Sequence, residues 1–267
     1  MASLPIRLVT FDLLYTLIVP RLPIHVQYSQ AFEPYLGVLD PESLRQSFGV
    51  AFRSLEREQP VYSKGSRAWW SEVIRRTALG AGANETALAA SLPEIVPGLL
   101  HRFSSKEGYR AYDDALPALH ALRQGLNVHT AAVSNADSRI RLVLQDLGFR
   151  DEVDAVVLSE EVGFEKPSPE IFLQALSKVN SSRSQNPIAP EECLHVGDEI
   201  DSDYEGALAA NMKALLLRRA GRDGEQAHKP PQELSSRVQV VGNLHAVALW
   251  VKNHNSTRLG GPPPSCA

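Results

Sequence analysis

Apolar residues are spaced in two ways along the chain, and the change between them divides the sequence. One short apolar run lies at Arg7–Leu17, and after Tyr109 short apolar runs alternate with amphipathic stretches. Residues 27–103, in contrast, show helical spacing only. Short apolar runs bounded by turn residues predict buried strands, and apolar positions three or four residues apart predict helices. Strands that alternate with helices predict a parallel sheet with right-handed crossovers and helices on both faces. The pattern therefore predicts an α/β fold, a doubly wound parallel sheet interrupted by an all-helical insertion.

The same pattern gives approximate bounds for the elements. Beyond the first run, strands are predicted at Val128–Ser134, Val153–Leu158, Cys193–Val196, Ala214–Leu217 and, as an edge strand, Val238–Val241. Helices between them are predicted at Asp113–Arg123, Ser138–Leu147, Pro169–Val179, Tyr204–Ala210 and Leu244–Val251. Helices of the insertion are predicted at Leu44–Leu55, Trp69–Leu79 and Leu88–Leu100.

These changes of pattern predict the domain boundaries. We expect an α/β core from residues 1–20 and 106–253, a helical cap at 21–105, and a disordered tail at 254–267, which contains Gly-Gly-Pro-Pro-Pro. An insertion just after the first strand would lie over the carboxyl ends of the strands, where a lid belongs. Trp69 and Trp70 are expected to pack in the core of this cap or against the main body.

Composition narrows the classes of function. The chain has 267 residues and a net charge of −4, which argues against general nucleic-acid binding. No apolar run approaches the length of a membrane span, and the apolar start is interpreted as a strand rather than a signal peptide. Two cysteines do not make a disulfide framework, so a reducing, cytoplasmic location is expected, with the nucleus or the mitochondrion left open. Nothing in the sequence indicates the oligomeric state.

Asp12 stands at the end of the first apolar run, with Thr16 four positions later. Because removing a carboxylate from water is costly, a buried strand carries one at its end rather than in its middle. In an open parallel sheet, the ligand crevice lies beyond the carboxyl ends of the strands. Asp12 is therefore a candidate nucleophile or metal ligand. The alternative is a carboxylate that only ends the strand and caps the next turn.

Further polar residues follow later strands. Ser134 and Asn135 precede a helix and could hold phosphate oxygens together with the helix amides, or Asn135 or Asp137 could simply cap that helix. Lys166 precedes a proline, which restricts its backbone. An ammonium fixed near Asp12 would offset the charge of an incoming anion, although Lys166 could equally be one more surface lysine.

The strongest local signal is a group of acidic residues on one strand-to-helix turn, namely Asp198, Glu199, Asp201 and Asp203. Carboxylates packed this closely repel one another unless a cation or a basic group lies among them. Mg²⁺ prefers such hard oxygen ligands and binds one or two carboxylates together with waters and substrate phosphate. The alternative is that Asp201 or Asp203 caps the helix and the other carboxylates are solvated.

Taken in order, four motifs resemble those of the haloacid dehalogenase-like hydrolase superfamily. They are Asp12-x-x-x-Thr16, Ser134-Asn135, Lys166-Pro167 and Gly197-Asp198-x-x-x-x-Asp203. The resemblance extends from Arg7 to about Val251, and the helical insertion resembles the small C1-type cap of that superfamily. The motif Ser66-Arg67-x-Trp69-Trp70 further resembles one eukaryotic subgroup.

The resemblance implies a role for each motif residue. Asp12 would be the nucleophile that forms an aspartyl-phosphate. Thr16, Ser134 and Asn135 would hold the transferring group, and Lys166 would offset its charge. Asp198 would bind Mg²⁺ together with Asp12 and the backbone carbonyl of Leu14, and Asp203 would support the metal or Lys166. The implied substrate is a small phosphorylated metabolite.

Two positions depart from the pattern of the superfamily. Its phosphatases carry a second aspartate two residues after the nucleophile, where this chain has Leu14, and a glycine where this chain has Tyr15. The missing carboxylate would protonate the leaving oxygen and activate water, a contribution of about 10²–10⁴-fold. Three interpretations remain open: a phosphatase of weakened or altered activity, aided by a residue such as Tyr15; a 2-haloacid dehalogenase, which needs no such acid; and a non-catalytic binding or regulatory protein.

Overall fold

The computed structural model describes residues 4–220 and 236–256, and the statements below concern these residues. Its strands are β1 (Leu8–Phe11), β2 (Ile18–Pro20), β3 (Tyr109–Ala111), β4 (His129–Ser134), β5 (Ala155–Leu158), β6 (Cys193–Gly197), β7 (Lys213–Leu217) and β8 (Val240–Val241). Its α-helices are α1 (Ile24–Leu36), α2 (Pro41–Glu58), α3 (Ser66–Gly80), α4 (Glu85–Arg102), α5 (Ala115–His120), α6 (Ile140–Asp146), α7 (Ser159–Val162), α8 (Pro169–Asn180), α9 (Gly206–Ala209) and α10 (Leu244–Ser256).

Six strands form one parallel sheet in the order β5-β4-β1-β6-β7-β8. Strand β1 lies between β4 and β6, with Phe11 opposite Ala132 on one side and Val196 on the other. All four residues of β1 are buried, which explains why the strand is a continuous apolar run rather than an alternating one. The predicted doubly wound α/β fold is confirmed, including the edge position of β8.

Contacts divide the described residues into two compact units. The α/β unit contains the described residues of Met1–Val19, Ala111–Ser134 and Gly148–Ala267. The helical unit contains Pro20–Arg110 and Asn135–Leu147. Strands β2 and β3 pair in a separate small sheet, which the sequence pattern did not predict. The lid role of the helical segment stays a prediction.

The α/β unit is built around apolar helix faces packed on the sheet. Helix α8 begins with Pro169 at its first turn, where a missing N–H costs nothing, and buries Ile171 and Phe172. Burying one such side chain stabilises the fold by about 1.5–3 kcal/mol. Helix α9 comes close to the turn before α8, because a Cβ on Gly206 would lie only 3.0 Å from Pro167 Cα.

The helical unit packs aromatic side chains among its buried aliphatic residues. Tyr28 packs against Phe32 and Phe48, with ring centroids 5.7 and 5.3 Å away. Trp69 is 2% exposed, and its indole N–H donates to the Leu55 carbonyl at 3.3 Å, which confirms its predicted place in the core of the insertion. Such aromatic pairs add about 0.5–1.5 kcal/mol to the effect of burial.

Residues 135–147 join the helical unit although they were assigned to the core by sequence. Polar contacts of Trp70 connect this segment to the helices, because its indole N–H donates to Asp137 Oδ2 at 2.7 Å. The Arg139 guanidinium lies 5.1 Å from the centroid of the same indole, as in a cation–π contact. Apolar spacing cannot reveal contacts of this kind.

Two helices of the α/β unit differ from the predicted bounds because each includes a π-helical segment. The helix predicted at Asp113–Arg123 continues from α5 as a π-helical segment, Ala121–Gly125, and that predicted at Tyr204–Ala210 begins earlier, as the π-helical segment Ile200–Glu205. The start of the predicted tail was wrong for residues 254–256, which belong to α10. There the Asn255 side chain donates to the Ile6 carbonyl and accepts from the Ile6 N–H. Residues 257–267 of that tail lie outside the described residues. None of the described helices is both long and apolar enough to cross a membrane.

Candidate active site

Asp12 follows β1 directly and begins a tight loop. Its N–H donates to the Val196 carbonyl at 2.9 Å, which continues the ladder with β6. The Leu13 carbonyl then accepts from the N–H groups of Leu17 and Ile18, each at 2.9 Å. Asp12 is 7% exposed, so its carboxylate lies in a largely water-free place at the carboxyl end of the central strand.

Tyr15 has a left-handed backbone in this loop, with φ at 63°. This conformation costs a non-glycine residue about 1–2 kcal/mol, and glycine would adopt it without strain. The Tyr15 N–H donates to the Ile18 carbonyl at 2.6 Å, which closes the turn. The turn therefore forms with a tyrosine at a position that favours glycine.

Lys166 lies among the acidic groups rather than on the surface. Its Nζ is 2.5 Å from Asp12 Oδ1 and 2.6 Å from Asp203 Oδ1, and the residue is 5% exposed. The alternative of one more surface lysine was therefore wrong. A buried ammonium is tolerated only because two carboxylates accept its hydrogen bonds.

Asp203 is fixed by contacts to both of its carboxylate oxygens. Oδ1 accepts from Lys166 and lies 3.2 Å from His195 Nε2, and Oδ2 accepts the Glu199 N–H at 2.9 Å. Gly197 makes this approach feasible, because a Cβ there would lie 2.2 Å from Asp203 Cγ. Asp203 is 1% exposed, and Asp198 is also buried, so the alternative in which the carboxylates other than the capping one are solvated was wrong for Asp198.

His195 extends this network behind the carboxylates and was not singled out in the sequence. Its Nδ1 lies 2.8 Å from Thr10 Oγ1, and both residues are fully buried. Burial lowers the pKa of His195 and keeps the imidazole neutral. A neutral ring that donates from Nε2 to Asp203 accepts the Thr10 hydroxyl at Nδ1. The signal in the sequence was a histidine inside a strand three residues before Asp198.

Asp198 completes the group of carboxylates. One oxygen each of Asp12, Asp198 and Asp203 lie within 4.8 Å of one another. Asp198 is 4% exposed, and its backbone carbonyl accepts a hydrogen bond from the Arg218 guanidinium. Of the other acidic residues of this turn, Asp201 is exposed. The structure therefore brings Asp12, Lys166, Asp198 and Asp203 together.

Charge within this group shifts the ionisation of its members. Burial raises the pKa of Asp12 to about 7, and the carboxylates of Asp203 and Asp198 add to the rise while Lys166 opposes it. Burial would also raise the pKa of Asp203, but the Lys166 ammonium and the His195 hydrogen bond hold it well below its usual range. For Lys166, burial lowers the pKa, and the two carboxylates more than reverse this. The lysine is therefore charged, and Asp12 retains an excess of negative surroundings.

The remaining predicted residues lie at or beside the ends of the same strands. The Thr16 hydroxyl is buried and has no hydrogen-bond partner among the described residues, and Ser134 ends β4 at 5% exposure. Asn135 is exposed, follows Ser134 directly and falls in the helical unit. Leu14 is half-buried, and its backbone carbonyl accepts no hydrogen bond from a described residue. The roles assigned to these residues stay predictions.

Arg219 was not predicted to contribute, yet it braces the loop that follows Asp12. Its guanidinium donates to both carboxylate oxygens of Asp114, at 2.9 and 3.0 Å, and to the Thr16 carbonyl at 3.0 Å. The same group lies 3.8 Å from the centroid of the Tyr112 ring. A bidentate, stacked arginine of this kind is geometrically specific.

Comparison with known proteins gives consistent results. The family described as haloacid dehalogenase-like hydrolase matches residues 6–211. Mouse haloacid dehalogenase-like hydrolase domain-containing protein 3 is 33% identical over 219 residues, which are 80% of this chain and 82% of the mouse protein. The rhythmically expressed gene 2 protein of Drosophila melanogaster is 26% identical over 243 residues, 84% of this chain and 91% of that protein. These relatives represent the eukaryotic subgroup that the Ser66–Trp70 motif resembles.

Solved structures share the fold at lower sequence identity. A 2-haloacid dehalogenase from Pseudomonas syringae superposes with a TM-score of 0.60 at 21% identity, over 96% of this chain and all of that one. A phosphatase of the same superfamily from Thermococcus onnurineus superposes with a TM-score of 0.56 at 18% identity, over 92% of this chain and 98% of that one. Proteins of both activities therefore share this architecture.

Proposed function

This chain belongs to the haloacid dehalogenase-like hydrolase family, and on that premise we propose that it is a Mg²⁺-dependent phosphatase acting on a small phosphorylated metabolite. The charge imbalance among the buried groups carries the proposal. When all three are ionised, Asp12, Asp198 and Asp203 stand against the single ammonium of Lys166, which leaves two negative charges uncompensated. The raised pKa of Asp12 reflects this excess of negative charge. A divalent cation would balance them.

The oxygen donors of Asp12, Asp198 and Leu14 fit Mg²⁺. Asp12 has one carboxylate oxygen beyond the one bonded to Lys166, Asp198 has its carboxylate nearby, and the Leu14 carbonyl accepts no hydrogen bond from a described residue. Both oxygens of Asp203 already accept hydrogen bonds, so Asp203 would orient Lys166 rather than bind the metal. When bound, Mg²⁺ would stabilise negative charge on the phosphoryl oxygens.

Asp12 would carry the covalent step. The carboxylate oxygen of Asp12 that does not hold the metal attacks the phosphorus. The bond from phosphorus to the leaving oxygen breaks, and the leaving oxygen departs with the electron pair. Water then attacks the phosphorus of the aspartyl-phosphate, which releases inorganic phosphate and restores the carboxylate. Lys166 and the unpaired Thr16 hydroxyl would contact the transferring group and stabilise its charge.

Leu14 sets the limits of this activity. A leucine can neither protonate the departing oxygen nor remove a proton from water, so the chain lacks a contribution of about 10²–10⁴-fold. The activity should therefore favour substrates whose leaving group departs without a proton. Acyl and aryl phosphates meet this requirement.

The absence of an acid at Leu14 also favours two other candidates. A 2-haloacid dehalogenase would use Asp12 to displace halide, which needs no proton, but such a reaction needs no metal and gives no reason for the uncompensated carboxylates. A non-catalytic binding or regulatory protein of the same fold would need no acid either. The three candidates differ in what they release and in their dependence on metal.

The test measures phosphate release from acetyl phosphate and p-nitrophenyl phosphate with Mg²⁺ or with chelator. We expect release that requires Mg²⁺, is lost in Asp12→Asn and is retained in the control Asp151→Asn, because Asp151 is an exposed aspartate of the same unit. Full activity of Asp12→Asn would overturn the nucleophile assignment. Chloride release from 2-chloropropionate in chelator would support the dehalogenase, and no turnover of any of these substrates would support the binding protein.

A second pair of variants tests the limit set by Leu14. Leu14→Asp should raise the rate on alkyl phosphates steeply, toward the 10²–10⁴-fold contribution of a positioned acid. Leu14→Asn is the matched control, because it has nearly the same shape and polarity but cannot exchange a proton. Equal rates in the two variants would show that the altered turn, not the missing acid, limits activity.

A further inference from the structure

Two consecutive arginines follow β7, and each contacts the end of another strand. The Arg218 N–H donates to the Val241 carbonyl at 2.8 Å, which anchors the backbone of the pair to β8. The Arg218 guanidinium donates to the Asp198 carbonyl after β6, and Arg219 donates to the Thr16 carbonyl after β1. Because β6 lies between β7 and β1, Arg219 spans two strand spacings, roughly 10 Å. The pair therefore connects β7 to both loops that carry candidate metal ligands.

The Arg219 guanidinium is fixed independently of the loop that follows β1. Both oxygens of Asp114 accept its hydrogen bonds, and the Leu244 N–H at the start of α10 donates to the same carboxylate at 2.8 Å. Burial alone would raise the pKa of Asp114, but Arg219 and the Leu244 N–H lower it overall, so the two side chains form an ionised pair. Each side chain of the pair is only 12% exposed, so water competes little for these hydrogen bonds. The position of Arg219 is therefore set by β7 and α10.

The loop after β1 needs such an external contact. Tyr15 has the left-handed backbone described above, and a residue in this conformation persists only where its surroundings hold it. The Thr16 carbonyl follows the strained residue directly, and it accepts at 3.0 Å from the Arg219 side chain, which lies outside the loop. Arg219 therefore stabilises the loop beside the point where its backbone is strained.

Thr16 is the residue of this loop whose position matters most for the proposed reaction. It is fully buried, and its hydroxyl makes no hydrogen bond to a described residue, so the hydroxyl is available to a bound ligand. The carbonyl and the hydroxyl belong to one residue, so a loop that releases the carbonyl also displaces the hydroxyl. A misplacement of about 1 Å at a reacting centre can lower a rate by about 10²-fold. Loss of the Arg219 contact should therefore lower the rate of the reaction.

We propose that Arg219 is a positioning residue of this site, which holds the Thr16 carbonyl and so keeps the Thr16 hydroxyl against the transferring phosphoryl group. The proposal rests on the proposed function, because it assumes that the phosphoryl group binds beside Asp12. Arg219 acts through Thr16 and does not itself contact the substrate. A lysine cannot replace it, because one ammonium does not present the planar fork that binds Asp114 twice and Thr16 once.

The test compares the full-length wild type with Arg219→Lys in the hydrolysis of p-nitrophenyl phosphate at saturating Mg²⁺. We expect kcat to fall by about 10–100-fold, as for other residues that orient a site from outside. KM should change by less than about threefold, because a contact made mainly in the transition state lowers kcat and kcat/KM together. The control is Arg150→Lys, the same change at an exposed arginine of the same unit, which should leave both constants unchanged. A folded Arg219→Lys protein with the wild-type kcat would overturn the proposal.

A variant of Asp114 shows whether the effect passes through Arg219. Asp114→Asn keeps an oxygen for the Leu244 N–H but loses the charge that fixes the guanidinium, so kcat should fall, though less than in Arg219→Lys. Because Asp114 affects the loop through Arg219, the double variant should have nearly the kcat of Arg219→Lys alone. Effects that multiply in the double variant would overturn the proposal and indicate two independent structural roles.

Hydrogen exchange tests the same contact without turnover. The Leu17 and Ile18 N–H groups both donate to the Leu13 carbonyl within the loop, and release of the loop should expose them. In Arg219→Lys we expect these amides to exchange about tenfold faster or more, and in Arg150→Lys at the wild-type rate. Unchanged exchange in Arg219→Lys would overturn the proposal whether or not the wild type is active. If the wild type released no phosphate, the proposed function would fail, and faster exchange in Arg219→Lys would still support the contact through which Arg219 acts.

Discussion

The two units of this protein stabilise their interiors in opposite ways. The α/β unit buries a cluster of acidic and basic side chains at and just behind the ends of its strands, namely Asp12, Lys166, His195, Asp198 and Asp203. The helical unit buries mainly aromatic and aliphatic residues, with Asp137 as a buried carboxylate that pairs with Arg139. It places other ion pairs, such as Arg45–Glu42, on its surface, where both side chains are 56% exposed. Surface pairs of this kind contribute about 0–1 kcal/mol.

The difference shows that the buried charges of the α/β unit lower the stability of the protein. Each buried charge of the α/β unit has lost its hydration, which costs free energy. The ion pairs of Lys166 with Asp12 and Asp203 recover only part of this free energy. Charge that is buried without full compensation at the carboxyl end of a parallel sheet is suited to binding a cation and an anionic substrate. The helical unit has no comparable concentration of buried charge among its described residues, so its contribution to ligand binding rests on shape and hydrogen bonds. Variants in both units can sharpen this contrast.

Removing the buried ammonium should have the largest effect. Lys166→Met leaves the carboxylates without their counter-charge, and we expect it to lower the free energy of unfolding by about 3–5 kcal/mol. Urea denaturation measures this change. Lys178→Met, at an exposed lysine on α8, should stay within about 0.5 kcal/mol of the wild type. Equal stability of the two variants would mean that Lys166 does not compensate the cluster.

Addition of Mg²⁺ should stabilise the wild-type protein next most strongly. At a concentration 100 times its dissociation constant, a ligand that binds only the folded state adds about 2.7 kcal/mol. Thermal unfolding with and without Mg²⁺ measures the gain. Asp198→Asn should remove it, and Glu58→Gln, at a surface ion pair of the helical unit, should leave it unchanged. A gain that survives Asp198→Asn would place the ion elsewhere.

A methyl group at Gly197 should cost somewhat less. The added Cβ would lie 2.2 Å from Asp203 Cγ, so the carboxylate must move away from Lys166 and the Glu199 N–H. Overpacking of this kind costs about 1–3 kcal/mol. Urea denaturation of Gly197→Ala measures the loss, and a variant as stable as the wild type would show that Asp203 can relax freely.

A glycine-to-alanine substitution in the helical unit should change the free energy of unfolding in the opposite direction and by the smallest amount. Gly98 lies inside α4, is exposed, and has open space around the position of a Cβ. Gly98→Ala should therefore stabilise the protein by about 0.5–1 kcal/mol, because alanine loses less backbone entropy in a helix. A destabilised Gly98→Ala protein, again by urea denaturation, would contradict the assignment of this position to a regular, solvent-facing helix.

Much of the fold could be predicted from the chain because strand and helix periods differ clearly. The run before Asp12 and the run before Asp198 are short, mainly apolar and followed by turn residues, as is typical of buried strands. The sheet order places both carboxylates at one end. Other features depend on contacts between distant residues. Residues 135–147 belong to the helical unit, where Asp137 accepts from the Trp70 indole, and no local pattern predicts either fact.

The residues of the candidate site likewise fall into those that the sequence indicated and those that only the structure shows. Motif spacing indicated Asp12, Lys166, Asp198 and Asp203, because carboxylates at strand ends and a lysine before proline are visible in the sequence. The buried pair Thr10 and His195 was missed because the sequence does not show which group a polar residue inside an apolar strand forms a hydrogen bond with. Only the structure shows that His195 faces Asp203, at 3.2 Å, from behind.

The central position of β1 affects how the protein can fold during its synthesis on the ribosome. This strand is made before the other described strands, yet its neighbours on both sides, β4 and β6, begin only at His129 and Cys193. The nascent strand must wait, with both of its edges unpaired, while the helices α1–α4 emerge. An apolar segment in that state is a natural substrate for a chaperone, and the loop that carries Asp12 can take its final form only after synthesis has passed β6.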